Sequence, residues 1–155
     1  MPDFKVIRVS QTPYLYVTKT SSMAPEDISS KMGEAFREVW SFMESRHIRP
    51  AGGALSVYYD YSPSEMTFRA GFTVSAADMG KAQGPVSGDM TPAGEVLYFL
   101  HKGSYASLRT DYDLMMPHLE AIGRKMGAPM WEVYLNSPDQ VPEEQLLTDV
   151  FTMLE

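Results

Sequence analysis

The chain contains no cysteine. Disulfides, thiol nucleophiles and thiolate metal sites are excluded together, and the composition suits a reducing compartment. Histidine is scarce as well: His47, His101 and His118 are scattered without metal-ligand spacing, and no H-E-x-x-H pair exists. Neither a metal site nor a cofactor is expected. There is no G-x-S-x-G elbow, phosphate-binding loop or dinucleotide fingerprint, and Gly52-Gly53 in RPAGGALS reads as a turn before a strand. No apolar run is long enough to cross a bilayer, and the N-terminal MPDFKVIRVS holds no long apolar stretch. Positive charge is also short. Against 20 Asp and Glu stand 13 Lys and Arg, a net charge of −7 spread along the chain. Such a surface repels phosphate backbones and anionic headgroups, which argues against nucleic-acid and membrane partners and for a cytoplasmic protein.

What is present describes one domain over 1–155. With 44% hydrophobic content the chain can bury a core unaided. Its nine Tyr and twelve Met suit a cavity that accepts varied apolar shapes, although Met32 and Met43, at helical spacing, read as core. One helix is predicted over 23–47, from Ile28, Met32, Phe36, Val39 and Met43 with Pro25, Glu26 and Asp27 in its first turn. A second is predicted over 104–126, capped by Ser104, ended by Gly127 and kinked by Pro117, with Tyr105, Leu108, Tyr112, Met115, Leu119 and Ile122 on its apolar stripe. Strand character marks 4–10, 13–19, 54–61, 66–74, 94–101, 130–136 and 146–154, with turn-rich links at 62–65 and 137–145. The polar stretch 75–93 lacks periodicity and reads as a linker.

The segments on either side of that linker repeat. Strand, helix, strand, strand over 13–74 recurs over 94–154, and SVYYDYSP at 56–63 can be laid on EVYLNSP at 132–138. The expected fold is therefore α+β: two modules related by a pseudo-twofold axis, each an antiparallel sheet with a helix on one face, and a ligand groove on the other. Alternation along the strands then assigns faces. Leu55, Val57 and Tyr59, like Trp131, Val133 and Leu135, are expected to meet the helices. Ser56, Tyr58 and Asp60, like Glu132, Tyr134 and Asn136, are expected on the open face.

Pro92-Ala93-Gly94, His101-x-Gly103-x-Tyr105, Tyr112, Glu132-x-Tyr134 and Thr148-x-Val150, in this order and spacing, make the chain resemble the GyrI-like small-molecule-binding family. That bacterial family includes stand-alone proteins and the effector-binding domains of multidrug-responsive and AraC-type regulators. The resemblance implies a cleft with the acid of the E-x-Y strand, here Glu132, at its bottom and aromatics on its walls. It further implies ligands that are lipophilic cations in the regulators. A subset of stand-alone members is credited with hydrolysing cyclopropane-bearing electrophiles with the acid and a tyrosine, and other members inhibit DNA gyrase.

Independently of the family, a carboxylate between aromatic walls loses hydration and becomes a receptor for a cation or a hydrogen-bond donor. The same desolvation raises its pKa toward the range of a general acid or base. Glu132 with Tyr134, Tyr58, Ser56, Tyr16 and Tyr98 is thus the expected ligand site, with a small organic molecule as partner and sensing or sequestration as the leading function. Hydrolysis by Glu132 and Tyr134 is the alternative. Inhibition of a topoisomerase through DNA-like acidity is a third reading. All 155 residues are taken up by the duplicated domain, leaving no helix-turn-helix, so an effector module would act in trans.

Overall fold

The computed structural model describes residues 2–61 and 64–155. The strands are β1 (Lys5–Val9), β2 (Pro13–Ser22), β3 (Ala54–Tyr61), β4 (Glu65–Thr73), β5 (Ser87–Met90), β6 (Gly94–Lys102), β7 (Met126–Tyr134) and β8 (Leu147–Leu154). The helices are α1 (Pro25–Ser45), α2 (Ala76–Met79) and α3 (Leu108–Ala121), the last led by a 3-10 turn at Tyr105–Ser107. The expected turn at 62–65 falls partly outside the described residues, as does the side chain of Asp60. The stretch 75–93, featureless in composition, carries α2 and the edge strand β5. Among the described residues no helix is long and apolar enough to cross a membrane.

The class is α+β, but two separate sheets are not formed. All eight strands join one antiparallel sheet in the order β1-β6-β8-β7-β3-β4-β2-β5. Pairing β3 with β7 satisfies the two strand edges that separate sheets would leave unpaired. Counted outward from that central pair, the order is β3, β4, β2 on one side and β7, β8, β6 on the other.

This sheet cannot be flat. β1 and β2 lie six places apart, about 29 Å in a flat sheet at the usual strand spacing, yet only Ser10, Gln11 and Thr12 connect them. Four Cα steps reach about 14 Å at most. The sheet must therefore curl until its two ends approach. They do: Ile7 and Val9 of β1 pack into the same cluster as Tyr14 and Tyr16 of β2, while Thr12 and Thr91 extend the β2–β5 ladder, Thr91 donating its backbone N–H to the Thr12 carbonyl and accepting the Thr12 N–H on its Oγ1 at 3.0 Å. Val9, Thr12 and Thr91 share one small cavity of about 120 Å³ with Trp131 and Phe151. Gly71 in β4 helps the bend, since a Cβ there would run into the Leu15 carbonyl of β2.

Curling buries the helix-free face on itself. Tyr14, Leu55, Val57, Val96 and Trp131 form its core, with Tyr16, Tyr98, Val133 and Phe151 packed around them. Both helices lie on the other, outer face. α1 sets Met32, Ala35, Val39 and Met43 against Leu15, Val17, Phe68 and Ala70, and α3 sets Leu108, Met115 and Leu119 against Leu97, Phe99 and Val150.

The expected assignment of faces is thereby inverted. Leu55, Val57, Trp131 and Val133 point away from the helices, while Ser56, Tyr58, Glu132 and Tyr134 lie on the helix side. Alternation identifies which residues share a face, but the interior of a curl is as dry as the underside of a helix. Leu135 is exposed beyond the end of β7. Asn136 ties down the following loop, accepting from the Leu147 N–H and donating to the Gln145 carbonyl.

α3 is shorter than its apolar stripe. Tyr105 falls in the 3-10 turn, and Gly123, at φ 71°, ends the helix before Gly127, the residue expected to do so. Pro117 lies inside the helix, which runs through it.

Candidate functional site

The helices cover the two wings of the sheet and leave its centre, β3 and β7, to be covered by side chains reaching in from either side. Register puts Ser56 directly opposite Glu132 in the middle of that pair, with Ala54 opposite Tyr134 and Tyr58 opposite Met130. Residues matched between the two sequence halves thus occupy equivalent places about the Ser56–Glu132 pair. Ser56 is fully buried and Glu132 is 6% exposed.

The Glu132 carboxylate accepts two tyrosine hydroxyls. Tyr112 of α3 donates to Oε2 in a short contact, and Tyr134, two residues along the same strand, donates to Oε1 at 2.8 Å. The chain of hydroxyls continues from Tyr134 to Ser56 Oγ at 2.6 Å and from Ser56 to Tyr58 at 3.0 Å. From α1, Met32 Sδ lies 3.7 Å from the Tyr134 hydroxyl and the Phe36 ring meets the Tyr134 ring edge-on at 6.2 Å. From the α3 side, Tyr105 stands over Tyr134 with ring centroids 5.6 Å apart. Four of the expected residues, Glu132, Tyr134, Tyr58 and Ser56, are therefore gathered in one network.

Burial governs the electrostatics. It raises the pKa of Glu132, an effect partly offset by the hydrogen bonds from Tyr112 and Tyr134 and by the electrostatic influence of nearby His101. Burial also raises the phenols of Tyr112, Tyr134 and Tyr58, and the negative charge of Glu132 pushes all three further. They are donors and not phenolates. Among the described residues no Lys or Arg pairs with Glu132. The chemistry of the site is therefore a desolvated acid, two donors aimed at it, and aromatic walls. Among the described residues no group of three or more His, Asp or Glu side chains is placed to hold a metal.

Tyr16 and Tyr98 do not reach this site. Both point to the inner face of the curl. The Arg69 guanidinium stacks over the Tyr16 ring at 4.4 Å while bonding Asp89 at 2.6 Å and the Tyr14 hydroxyl at 3.0 Å. Tyr98 donates to Asp149 at 2.5 Å, and burial with that carboxylate pushes its phenol up to about 12. The parity of their strands sends both away from Glu132.

Tyr112, Tyr105, Met32 and Phe36 also adjoin this network, although their spacing reads as packing stripes. A signal was available: Tyr105 and Tyr112 are seven residues apart and share one side of the segment that leads into and forms α3. His101 orders this region. Its Nδ1 meets Asp111 at 2.5 Å, and its Nε2 lies 2.9 Å from the Ser104 carbonyl and 3.0 Å from Ser107 Oγ. These contacts fix the start of α3, so that Tyr112, next to Asp111, is aimed at Glu132.

The GyrI-like small molecule binding domain family matches the chain over residues 2–155. No curated protein matches it in sequence. Among solved structures, EcmrR in a complex with DNA superposes with a TM-score of 0.81 at 17% identity, covering 99% of this chain and 57% of that one. This chain thus spans little more than half of EcmrR. The isolated EcmrR C-terminal domain gives 0.75 at 16% identity, covering 100% and 98%. SAV2435 bound to tetraphenylphosphonium gives 0.66 at 10% identity, with coverage of 99% and 94%. A hydrolase encoded by lin2189 from Listeria innocua gives 0.62 at 13%, with 98% and 91%. At these identities the likeness is one of fold.

Proposed function

We propose that this chain, which belongs to the GyrI-like family of small-molecule-binding domains, binds an amphipathic organic cation between α1 and α3, with Glu132 as the counter-charge. The observation that carries the reading is the buried Glu132 carboxylate, which has two tyrosine donors and no Lys or Arg partner among the described residues. A buried carboxylate with no Lys or Arg beside it is costly, and a cationic guest offsets that cost. The tetraphenylphosphonium bound by the structural neighbour SAV2435 supports the same class of guest. Sensing or sequestration follows from binding alone. The symmetric strand order about β3 and β7 supports an internal duplication in which Ser56 occupies the place of Glu132, so that one half carries the charge recognition.

Titration with tetraphenylphosphonium and with neutral triphenylphosphine oxide tests this. The cation is expected to bind at least about tenfold tighter, equivalent to about 1.4 kcal/mol. Equal affinities for the two would refute charge recognition.

A second reading is hydrolysis. It is favoured by the convergence of the Tyr112 and Tyr134 hydroxyls on an acid whose pKa is raised, and by the hydrolase from Listeria innocua among the structural neighbours. Loss of a strained cyclopropane-bearing electrophile on incubation with wild type, and its persistence with Glu132→Gln, is the expected result under this reading. Persistence with both proteins removes it.

A further inference from the structure

An open cleft of about 460 Å³ lies between the 3-10 turn before α3 and the loop connecting β7 to β8, lined by Tyr105, Pro138, Val141, Pro142, Glu143 and Leu146 among others. Its volume is that of a small-molecule site, about 300–1,000 Å³. Its wall is mostly apolar, and among the described residues its one charged lining residue is Glu143, with no Lys or Arg. Such a lining favours an organic cation over an anion. The cleft does not touch Glu132 directly, and the partition between the two is Tyr105. That side chain lines the cleft on one side and packs against Tyr134 on the other, and the Glu132 charge reaches its phenol. Tyr105 is 40% exposed, and among the described residues its hydroxyl takes no hydrogen bond. Its side chain is held by ring packing on Tyr134 and not by a hydroxyl bond.

A second, independent feature lies at the same end of the site. Thr148 is fully buried in β8, paired in register with His101 on one side and Tyr134 on the other, and among the described residues its Oγ1 has no hydrogen-bond partner. Buried hydroxyls are nearly always satisfied. A polar group left open beside Tyr134, two residues from the cleft residue Leu146, is a contact waiting for a guest.

We infer that this cleft is the outer chamber of the Glu132 site. It receives the apolar body of an organic cation whose charge is read inside, with Tyr105 as the movable partition and Thr148 as an inner polar contact. The inference rests on the proposed cation binding and adds where the ligand enters and what limits its size. Small cations are held at Glu132 alone, and bulky ones need both compartments.

The test compares tetraphenylphosphonium with tetramethylammonium on wild type, Glu132→Gln and Val141→Trp, the last filling the cleft from an exposed loop. Val141→Trp is expected to weaken tetraphenylphosphonium at least tenfold and to leave tetramethylammonium within twofold. Methyl signals of Val141 and Leu146 in the wild type are expected to shift on adding tetraphenylphosphonium, a readout that stands if Val141→Trp does not fold. Binding that depends on Glu132 but is unchanged by Val141→Trp, with both methyl signals still, overturns the outer chamber and leaves the proposed function intact. Absence of any Glu132-dependent binding overturns both.

Discussion

Glu132→Gln lowers the affinity for tetraphenylphosphonium by about thirtyfold or more and leaves that for triphenylphosphine oxide within about twofold. The size follows from the environment. Truncating one partner of a buried charge pair costs about 2–5 kcal/mol, a factor of about 30 at the low end. Glutamine keeps the shape and can still accept from Tyr112 or Tyr134, so the walls that bind the neutral molecule are preserved. Calorimetric titration of both compounds on both proteins reads the result. Parallel losses for cation and neutral molecule would mean that the substitution had disturbed packing and not charge.

The same carboxyl makes binding and stability depend on pH in opposite senses. Burial raises the pKa of Glu132, and the protonated form offers a cation no charge. Affinity therefore falls about tenfold per pH unit below that pKa, and binding near it releases a proton. For folding, a raised pKa means that the native state holds more protons than the unfolded chain. The window opens at the ordinary glutamate value, about 4.3, and closes above the folded value. The contribution of this group is most favourable below that window and declines as pH rises through it. Glu132→Gln is accordingly expected to match the wild type in urea midpoint near pH 4 and to exceed it near pH 8.

Much of this site was legible because a strand's parity and a helix's stripe are local properties. The Glu132-x-Tyr134 spacing puts both residues on one face, and the match of Ser56 to Glu132 anticipated the pair that meets at the centre of the sheet. What could not be read was which face that is. The choice depends on the three-residue link from β1 to β2, which forces the sheet to curl, and curling is a property of the whole strand order. Once the helix-free face is the inside of a curl, Leu55 and Trp131 have a dry home without a helix. Tyr16 and Tyr98 follow them inward, where one meets Arg69 and the other Asp149. Tyr112 was hidden for a related reason. A tyrosine on an apolar helix stripe is indistinguishable from packing until the partner of its hydroxyl is known, and that partner lies 20 residues away on a strand.

Trp131→Ala is expected to remove about 3–5 kcal/mol of stability, the range for deleting a large buried aromatic side chain, while leaving cation affinity within about threefold. Trp131 is 3% exposed and stacks on Phe151 at 5.3 Å and 16°, in the concave core where the ends of the sheet approach. Adjacent residues of β7 point to opposite faces, so the indole and the Glu132 carboxylate are separated by the sheet itself. Loss of the indole opens a void beside the cavity that Val9, Thr12 and Thr91 share. The Thr12 and Thr91 amides, which lie at that cavity, should then exchange with solvent faster, while the α1 amides exchange as in the wild type once the lower global stability is allowed for. Trp131→Phe, which keeps most of the volume, is expected to show the same pattern with a smaller loss and serves if the alanine variant does not fold. Faster exchange confined to α1, with the Thr12 and Thr91 amides unchanged, would mean that Trp131 supports the helix and that the apolar face of β7 is turned the other way.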